Sequence, residues 1–279
     1  MNAPQSHYVA CGPHELHVTA WGEAGRPALV MWHGLARTGR DFDEAAAALC
    51  DEYLVLCPDT LGRGLSSWAT DAAEYSYAAY GDHAEAMFAH FGVGEPVRWI
   101  GTSMGGLVGV TLAAGRFHGR ISHLVVNDIG PSIPEAAIER IAAYVGNPPQ
   151  FHTVGELEQW LRRAYAPFGQ NTDAFWRRMA ETSMRRTDSG EVTVHYDPQI
   201  ASQFTIHKND LDIRPHWGKV AAKALLIRGA QSDVLPRDVA DDLVASGPKP
   251  ALFEVSGAGH APTLASDAEI ALLRDFLRS

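Results

Sequence analysis

The sequence contains few cysteines and no arrangement of residues that would hold a metal ion. Its 279 residues include only Cys11, Cys50 and Cys57, an odd number without the paired spacing of a zinc or redox site. Neither an H-E-x-x-H segment nor an acidic calcium-binding loop occurs. We therefore expect a protein without metal or cofactor, whose free thiols are typical of a reducing compartment.

Long apolar runs and an excess of positive charge are also absent. No stretch approaches the ~20 apolar residues of a membrane-spanning helix, and residues 1–6 lack the basic-then-apolar pattern of a signal peptide. The 33 acidic and 23 basic residues give a net charge of −10, which disfavours nucleic acid as a partner. We expect a cytoplasmic protein that binds neither membranes nor nucleic acids, and its oligomeric state stays open.

What the sequence does have is an alternation of short apolar runs and helical patterns. Eight segments predict strands: Tyr8–Cys11, Glu15–Trp21, Ala28–Trp32, Tyr53–Cys57, Val97–Ile100, Ile121–Val126, Ala224–Arg228 and Ala251–Val255. Helical patterns predict the helices that connect or follow most of them: Asp41–Cys50, Tyr77–Phe91, Gly106–Ala114, Arg237–Ala245 and Ala268–Leu277. Such alternation is typical of the α/β class, in which a mostly parallel sheet carries helices on both faces.

The alternation breaks between residues 131 and 215. Helical patterns dominate there, at Glu135–Val145, Thr153–Ala166 and Thr172–Arg186, with one short alternating segment at Glu191–Tyr196. We interpret 131–215 as an insertion from a loop at the carboxyl edge of the sheet, where ligands bind in α/β folds. Residues 1–130 and 216–279 then form the core, and the insertion closes over it as a helical lid.

The motif that organises the chain is Gly101-Thr102-Ser103-Met104-Gly105, which follows a predicted strand and precedes a helix. A serine in this G-x-S-x-G context lies on a sharp, strained turn that exposes its hydroxyl above the sheet. Gly101 and Gly105 leave room for the tight turn. The motif therefore predicts that Ser103 is a nucleophile.

A serine nucleophile needs a base, and the base needs an acid partner. His260 lies in a loop of small residues after the last predicted strand and is the best candidate for the base. Asp233 and Asp128 compete as the acid, because each follows a strand of the predicted sheet. The chain order Ser…Asp…His of this architecture is compatible with both, and we favour Asp233 because its loop follows the strand beside that of His260.

Two backbone amides are the candidates for stabilising the negative charge that develops on the attacked carbonyl oxygen. The amide of Met104 lies at the start of the helix after Ser103, and the amide of Leu35 lies in the loop after the Trp32 strand. His33, in that loop, is predicted to bond loop backbone. Arg37 leaves two alternatives open, a bidentate clamp on a substrate carboxylate or an ion pair with Asp41.

These residues together resemble the α/β-hydrolase superfamily, over essentially the whole chain. The resemblance rests on His33-Gly34, Asp59 with Gly62-Arg63-Gly64, Gly101–Gly105, Asp233 and His260. It implies an eight-stranded sheet whose second strand is antiparallel, a helical cap inserted after strand six, and no cofactor. It also implies a triad of Ser103, Asp233 and His260 and an oxyanion hole from Leu35 and Met104. Serine at the turn, where some relatives have aspartate, argues against haloalkane dehalogenase and the usual epoxide hydrolase chemistry.

We therefore expect a serine hydrolase that cleaves a small carboxylic ester or lactone through an acyl-serine intermediate, as a carboxylesterase does. The alternatives are a C–C bond hydrolase of ring-cleavage dienoates or diketones, a hydroxyacid-oligomer hydrolase, a perhydrolase, and a ligand-binding receptor with a slow triad. A carboxylate-bearing substrate would give Arg37 a function. Aromatic and apolar lid side chains are candidates to line the substrate pocket: Trp160, Phe168 and Trp176, together with Tyr144, Phe175 and Met179.

Overall fold

A computed structural model describes residues 3–279, with the side chain of Tyr144 outside the described part. Its strands are β1 Gln5–Cys11, β2 His14–Trp21, β3 Ala28–Trp32, β4 Leu54–Pro58, β5 Val97–Thr102, β6 Ile121–Asn127, β7 Gln150–Phe151, β8 Met184–Arg186, β9 Val192–Val194, β10 Lys223–Gly229 and β11 Ala251–Val255. Eight of these form one sheet in the order β1-β2-β4-β3-β5-β6-β10-β11. The predicted eight-stranded sheet is therefore confirmed.

Seven of the eight strands run in the same direction, and β2 is the one reversed strand. β2 pairs antiparallel with both β1 and β4, and every other pairing from β4 to β11 is parallel. The antiparallel second strand agrees with what the family resemblance implies. Because the parallel strands run the same way, the loops after β5, β6, β10 and β11 meet at one edge of the sheet.

Helices cover both faces of the sheet. The α-helices are α1 Asp43–Leu49, α2 Tyr77–Phe91, α3 Met104–Ala114, α4 Glu135–Val145, α5 Val154–Ala164, α6 Asp173–Ser183, α7 Arg214–Trp217, α8 Arg237–Ala245 and α9 Asp267–Arg278. Short 3₁₀-helices span Gly39–Phe42, Ala72–Glu74, Ala166–Phe168, Pro198–Phe204 and Lys208–Leu211. Every residue of β3 and β4 is buried, as expected of strands covered on both faces.

Side chains on the two faces of the sheet form two apolar cores. Trp32 and Trp99 stack in one core with ring centroids 5.2 Å apart, against α2 and α3. Leu29 and Met31, which alternate with Val30 and Trp32 along β3, belong to the other core with α1 and α9. Burial on both faces fixes the register of the central strands, since a one-residue shift would exchange the two sets of side chains.

Residues 131–215 lie between β6 and β10 and contain both helices and short strands. Their strands β7, β9 and β8 form a small antiparallel sheet in that order. The prediction of one helix over Thr172–Arg186 is wrong at its end, because α6 stops at Ser183 and Met184 adopts an extended backbone. β9 lies within the alternating segment Glu191–Tyr196 noted in the sequence, whereas the two or three residues of β7 and β8 carry too little periodicity to be recognised.

None of the helices in residues 3–279 combines enough length with enough apolar character to cross a membrane.

Candidate active site

The turn after β5 holds Ser103 in a backbone conformation that residues other than glycine rarely adopt. Its backbone φ is 52° and ψ is −116°. The neighbouring glycines are required because a Cβ on Gly101 would lie 2.1 Å from the Gly105 carbonyl oxygen, and a Cβ on Gly105 would lie 2.0 Å from that of Trp32. The strain is maintained by packing on both sides, and it directs the Ser103 hydroxyl away from the sheet.

The structure brings Ser103, His260 and Asp128 into one hydrogen-bonded chain. Nε2 of His260 lies 2.9 Å from Oγ of Ser103, and Nδ1 lies 2.8 Å from Oδ2 of Asp128. The Asp128 side chain is fully buried and that of His260 is 12% exposed. A carboxylate can only accept, so Nδ1 of His260 donates to Asp128 and Nε2 is left to accept the Ser103 hydroxyl proton.

The loop after β10 supports the Asp128 carboxylate. Oδ1 accepts a hydrogen bond of 2.7 Å from the Gly229 amide, and Oδ2 accepts one of 2.6 Å from the Ser232 hydroxyl. Ser232 in turn accepts from the amides of Val234 and Leu235. With His260 included, the buried carboxylate has three donors, which compensate for its loss of hydration.

The sequence prediction that Asp233 is the acid partner of His260 is wrong. Its side chain is half exposed and forms a bidentate ion pair with Arg140 of α4. The loop after β10 does reach the site, but Ser232 is the residue that faces inward, and Asp233 turns toward the surface. Asp128, the alternative weighed from the sequence, occupies the position that Asp233 was expected to fill.

Leu35 and Met104 lie next to Ser103, where the oxyanion site was predicted. Met104 is the first residue of α3, so its amide has no acceptor within the helix. The Gly34–Leu35 peptide is oriented by His33, whose Nδ1 lies 2.6 Å from the Gly34 carbonyl oxygen. Because the carbonyl and amide of a trans peptide point in opposite directions, this bond also sets the direction of the Leu35 amide.

His33 has the structural role that the sequence suggested. It is fully buried, and its Nε2 accepts a 2.9 Å hydrogen bond from the Thr60 amide while Nδ1 donates to Gly34. Burial lowers the pKa of His33 to about 4, although the nearby Asp59 opposes that shift. His33 is therefore neutral at pH 7, the only form that can donate at one nitrogen and accept at the other.

Arg63 of the Gly62-Arg63-Gly64 turn is fully buried beside the same loop. Its Nε donates to the Leu35 carbonyl oxygen at 2.8 Å, and Nη1 donates to the Leu61 carbonyl and the Tyr80 hydroxyl. Nη2 donates to Oε1 of Gln203 at 2.8 Å. The Gly62-Arg63-Gly64 turn thus ties the Leu35 loop to the inserted segment.

A cleft of about 760 Å³, open to solvent, leads to Ser103 and His260. Arg37 lines it, but its guanidinium forms a bidentate pair with Asp41, at 2.8 and 2.6 Å, and lies over the Tyr165 ring. Burial disfavours the charge, yet Asp41 and Tyr165 together raise the pKa of Arg37 above its usual range. Of the two alternatives, the structure therefore contains the ion pair with Asp41.

The lid residues predicted from the sequence divide into two groups. Phe168 lines the cleft, as do Phe175 and Tyr165. Trp160 and Trp176 do not, so their prediction as pocket residues is wrong: Trp160 packs on Phe151 and Tyr165, and the buried Trp176 packs on Phe175. The side chain of Tyr144 lies outside the described part, and Met179 is fully buried in the core.

Sequence reasoning missed Arg140, Tyr165 and Gln203 as residues that line the two spaces reaching Ser103. Arg140 lies one residue before Ile141 on α4, and only the packing of that helix over the sheet edge shows that both line the cleft. No motif marks any of the three positions. Over residues 3–279, no group of three or more His, Cys, Asp and Glu side chains is placed to hold a metal ion.

The chain is similar to known proteins over most of its length. A sequence model described as "Alpha/beta hydrolase family" matches residues 29–271. The chain belongs to the alpha/beta hydrolase family. It is 40% identical to a 3-hydroxybutyrate-oligomer hydrolase of Cupriavidus necator, over 98% of each chain. It is also 32% identical to 3-oxoadipate enol-lactonase 2 of Acinetobacter baylyi, over 78% of this chain and 76% of that one.

A solved structure of another member of the alpha/beta hydrolase family is similar throughout. It comes from Novosphingobium aromaticivorans, with a TM-score of 0.88, 32% identity, and coverage of 100% of this chain and 99% of that chain. The fold and family predicted from the sequence are therefore confirmed.

Proposed function

We propose that this hydrolase cleaves the ester bonds of short 3-hydroxybutyrate oligomers, with Ser103, His260 and Asp128 as its catalytic triad. The single observation that carries the chemistry is the hydrogen-bonded chain from Ser103 through His260 to Asp128 at the base of a cleft. The near full-length similarity to a 3-hydroxybutyrate-oligomer hydrolase supports this substrate class over the other esters.

In the proposed reaction, His260 accepts the Ser103 proton as Oγ attacks the ester carbonyl carbon. The amides of Leu35 and Met104 donate to the oxyanion of the tetrahedral intermediate. His260 then protonates the leaving alcohol, and an acyl-serine remains. A water molecule, deprotonated by His260, attacks the acyl-serine and releases the acid, while Asp128 stabilises the imidazolium in both steps.

The positions of the charged groups support a substrate with one free carboxylate. When a 3-hydroxybutyrate dimer is cleaved, the leaving alcohol is 3-hydroxybutyrate, which carries that carboxylate. Arg140 lines the cleft, and its side chain is 39% exposed in a surface ion pair with Asp233. Surface pairs of this kind are weak, so a substrate carboxylate can compete with Asp233 for the guanidinium. Arg37, buried against Asp41, is a less available partner.

We also propose that residues 131–215 act as a cap. Two connections between the segment and the core support this role: Arg178 of α6 pairs with Glu44 of α1, and the Gly259 amide donates to the Pro167 carbonyl at 2.6 Å. The second contact is adjacent to His260. A cap that approaches the site here would exclude water from the ester during acylation.

The decisive experiment measures the hydrolysis of 3-hydroxybutyrate dimer and trimer by titrating the acid released. We expect turnover by the native protein, a burst of p-nitrophenol from p-nitrophenyl butyrate, and neither in Ser103→Ala. Hydrolysis of p-nitrophenyl butyrate without turnover of the oligomers would overturn the substrate class. Full activity in Ser103→Ala would overturn the mechanism.

A second candidate is the hydrolysis of a carboxylate-bearing enol-lactone, favoured by the 32% identity to an enol-lactonase. The same triad would open a lactone ring and retain the leaving oxygen on the acyl-serine. Assays of an enol-lactone and of a ring-cleavage dienoate beside the oligomers distinguish the three reactions. A kcat/KM at least tenfold higher for the lactone or the dienoate than for the oligomers would replace the first proposal.

A further inference from the structure

A second, smaller cavity, with about 350 Å³ of empty space that includes open solvent, is also lined by Ser103. Its lining is apolar except for three side chains, those of Ser103, Tyr77 and Gln203. It is bordered by the three groups that would hold an attacked ester: the Ser103 side chain and the residues Leu35 and Met104. His260 lines the large cleft and not this cavity.

The position of His260 indicates which part of an ester occupies the large cleft and which occupies the smaller cavity. The leaving alcohol must lie where His260 can protonate it, and that space is the large cleft. The acyl chain is attached to the same carbonyl carbon but needs no proton. It therefore takes the space that Ser103, Leu35 and Met104 border without His260.

Gln203 lines the smaller cavity, and the orientation of its side-chain amide is fixed. It lies in the 3₁₀-helix Pro198–Phe204 of the inserted segment and is 2% exposed. Its Oε1 accepts from Nη2 of Arg63, and a guanidinium can only donate, so the amide cannot be flipped. Among the described residues, its buried Nε2 has no hydrogen-bond partner.

An unpartnered buried donor is unfavourable unless a ligand pairs with it. A neutral amide donor in an apolar wall matches a neutral oxygen acceptor. The acyl unit of a 3-hydroxybutyrate oligomer carries one on C3, two carbons beyond the carbonyl. This oxygen belongs to a hydroxyl group at the chain end and to an ester inside the chain.

We propose that the smaller cavity is the acyl subsite and that Nε2 of Gln203 donates a hydrogen bond to the oxygen on C3 of the acyl unit. This inference rests on the proposed ester hydrolysis and adds to it a residue that distinguishes 3-oxygenated acyl groups from plain ones. Arg63 acts through Gln203 as a positioning residue, since its hydrogen bond orients the amide.

The test compares p-nitrophenyl esters of 3-hydroxybutyrate and butyrate, which share a leaving group and differ only at C3. We expect the native protein to prefer the 3-hydroxybutyrate ester and Gln203→Met to reduce that preference about tenfold. The matched control is Gln199→Met, the same change at an exposed position of the same 3₁₀-helix, which should keep the preference. An equal loss for both esters, or an unchanged preference, in Gln203→Met would overturn the inference.

Gln203→Glu separates the missing donor from a disturbed Arg63. It retains an oxygen that can accept from Arg63 and replaces the donor with a second acceptor. In Gln203→Glu, kcat/KM for the p-nitrophenyl ester of 3-methoxybutyrate, whose C3 oxygen can only accept a hydrogen bond, should fall about tenfold relative to kcat/KM for the butyrate ester. Equal values for the two esters would contradict the hydrogen bond.

The failure of the proposed function has a different signature. If native protein hydrolyses the butyrate ester but no oligomer, the oligomer assignment is overturned, and the ester ratio still decides the role of Gln203. If it hydrolyses no ester at all, both proposals are overturned.

Discussion

The buried carboxylate of Asp128 lies 2.8 Å from Nδ1 of His260, although 132 residues separate the two in the chain. Asp128 follows β6 and His260 follows β11, with β10 between these strands in the sheet. The loop after β10 bridges the gap, because Gly229 and Ser232 both donate to the carboxylate. Asp128 and His260 are thus joined across β10, and Asp233 in the loop after β10 is half exposed at the surface.

Replacement of the two competing aspartates distinguishes their roles. We expect Asp128→Asn to lower kcat by ~10³–10⁴-fold, because an amide there no longer fixes the tautomer of His260 or stabilises the imidazolium. Asp233→Asn should change kcat less than twofold, since Asp233 is half exposed on the surface. Steady-state kinetics with p-nitrophenyl butyrate measure both. A comparable loss in Asp233→Asn, with Asp128→Asn active, would reverse the assignment.

The two cleft arginines should respond differently to substitution. Arg140→Gln should raise KM for the 3-hydroxybutyrate dimer about tenfold and leave KM for the neutral p-nitrophenyl butyrate within twofold, because only the dimer has a carboxylate that can pair with Arg140.

Arg37→Gln leaves Asp41 without its bidentate partner and should lower the free energy of unfolding by about 3 kcal/mol. Its activity should fall equally for both substrates. A selective loss of dimer hydrolysis in Arg37→Gln would instead support the carboxylate clamp.

The turn that carries Ser103 should not tolerate a side chain at Gly105. A Cβ there would lie 2.0 Å from the Trp32 carbonyl oxygen, which is backbone and cannot move aside. We expect Gly105→Ala to lower the free energy of unfolding by more than ~3 kcal/mol in urea denaturation. Gly94→Ala is the matched control, because a Cβ at Gly94 would meet no atom within 4 Å. It should remain within about 0.5 kcal/mol of the native protein.

Stability should fall in acid because of His33. Its pKa is about 4 in the folded protein, against 6.5 in the unfolded chain, so the unfolded state binds the proton first. The stability that depends on neutral His33 is fully present above pH 6.5. As the pH falls toward 4, the free energy of unfolding decreases by about 3 kcal/mol. We expect His33→Gln to be less stable than native protein at pH 7 and the difference to shrink by that amount at pH 4.

Urea denaturation at several pH values between 4 and 7 measures this dependence. The control is His118→Gln at an exposed position, which should retain the full acid sensitivity of the native protein. A constant difference between His33→Gln and native protein over this range would contradict the role of His33 protonation.

The sequence by itself determined the elements that depend on local pattern. Ala28–Trp32, Tyr77–Phe91, Glu135–Val145, Arg237–Ala245 and Ala251–Val255 have the predicted bounds, because continuous apolar runs and helical periodicity are properties of neighbouring residues. Ser103 is recognisable for the same reason. Its two glycines, the preceding strand and the following helix all lie within a few residues of it.

Only the tertiary structure decided the partners that meet across the sheet edge. Asp128 and Asp233 both follow strands, and the direction of one loop after β10 turns Ser232 inward and Asp233 outward. Trp160 and Trp176 lie on helices whose inward faces depend on packing against neighbouring elements rather than on their own periodicity. Gln203 acquires its orientation from Arg63, 140 residues earlier in the chain. Side-chain direction at a loop or cap is set by such distant contacts, and local sequence does not encode them.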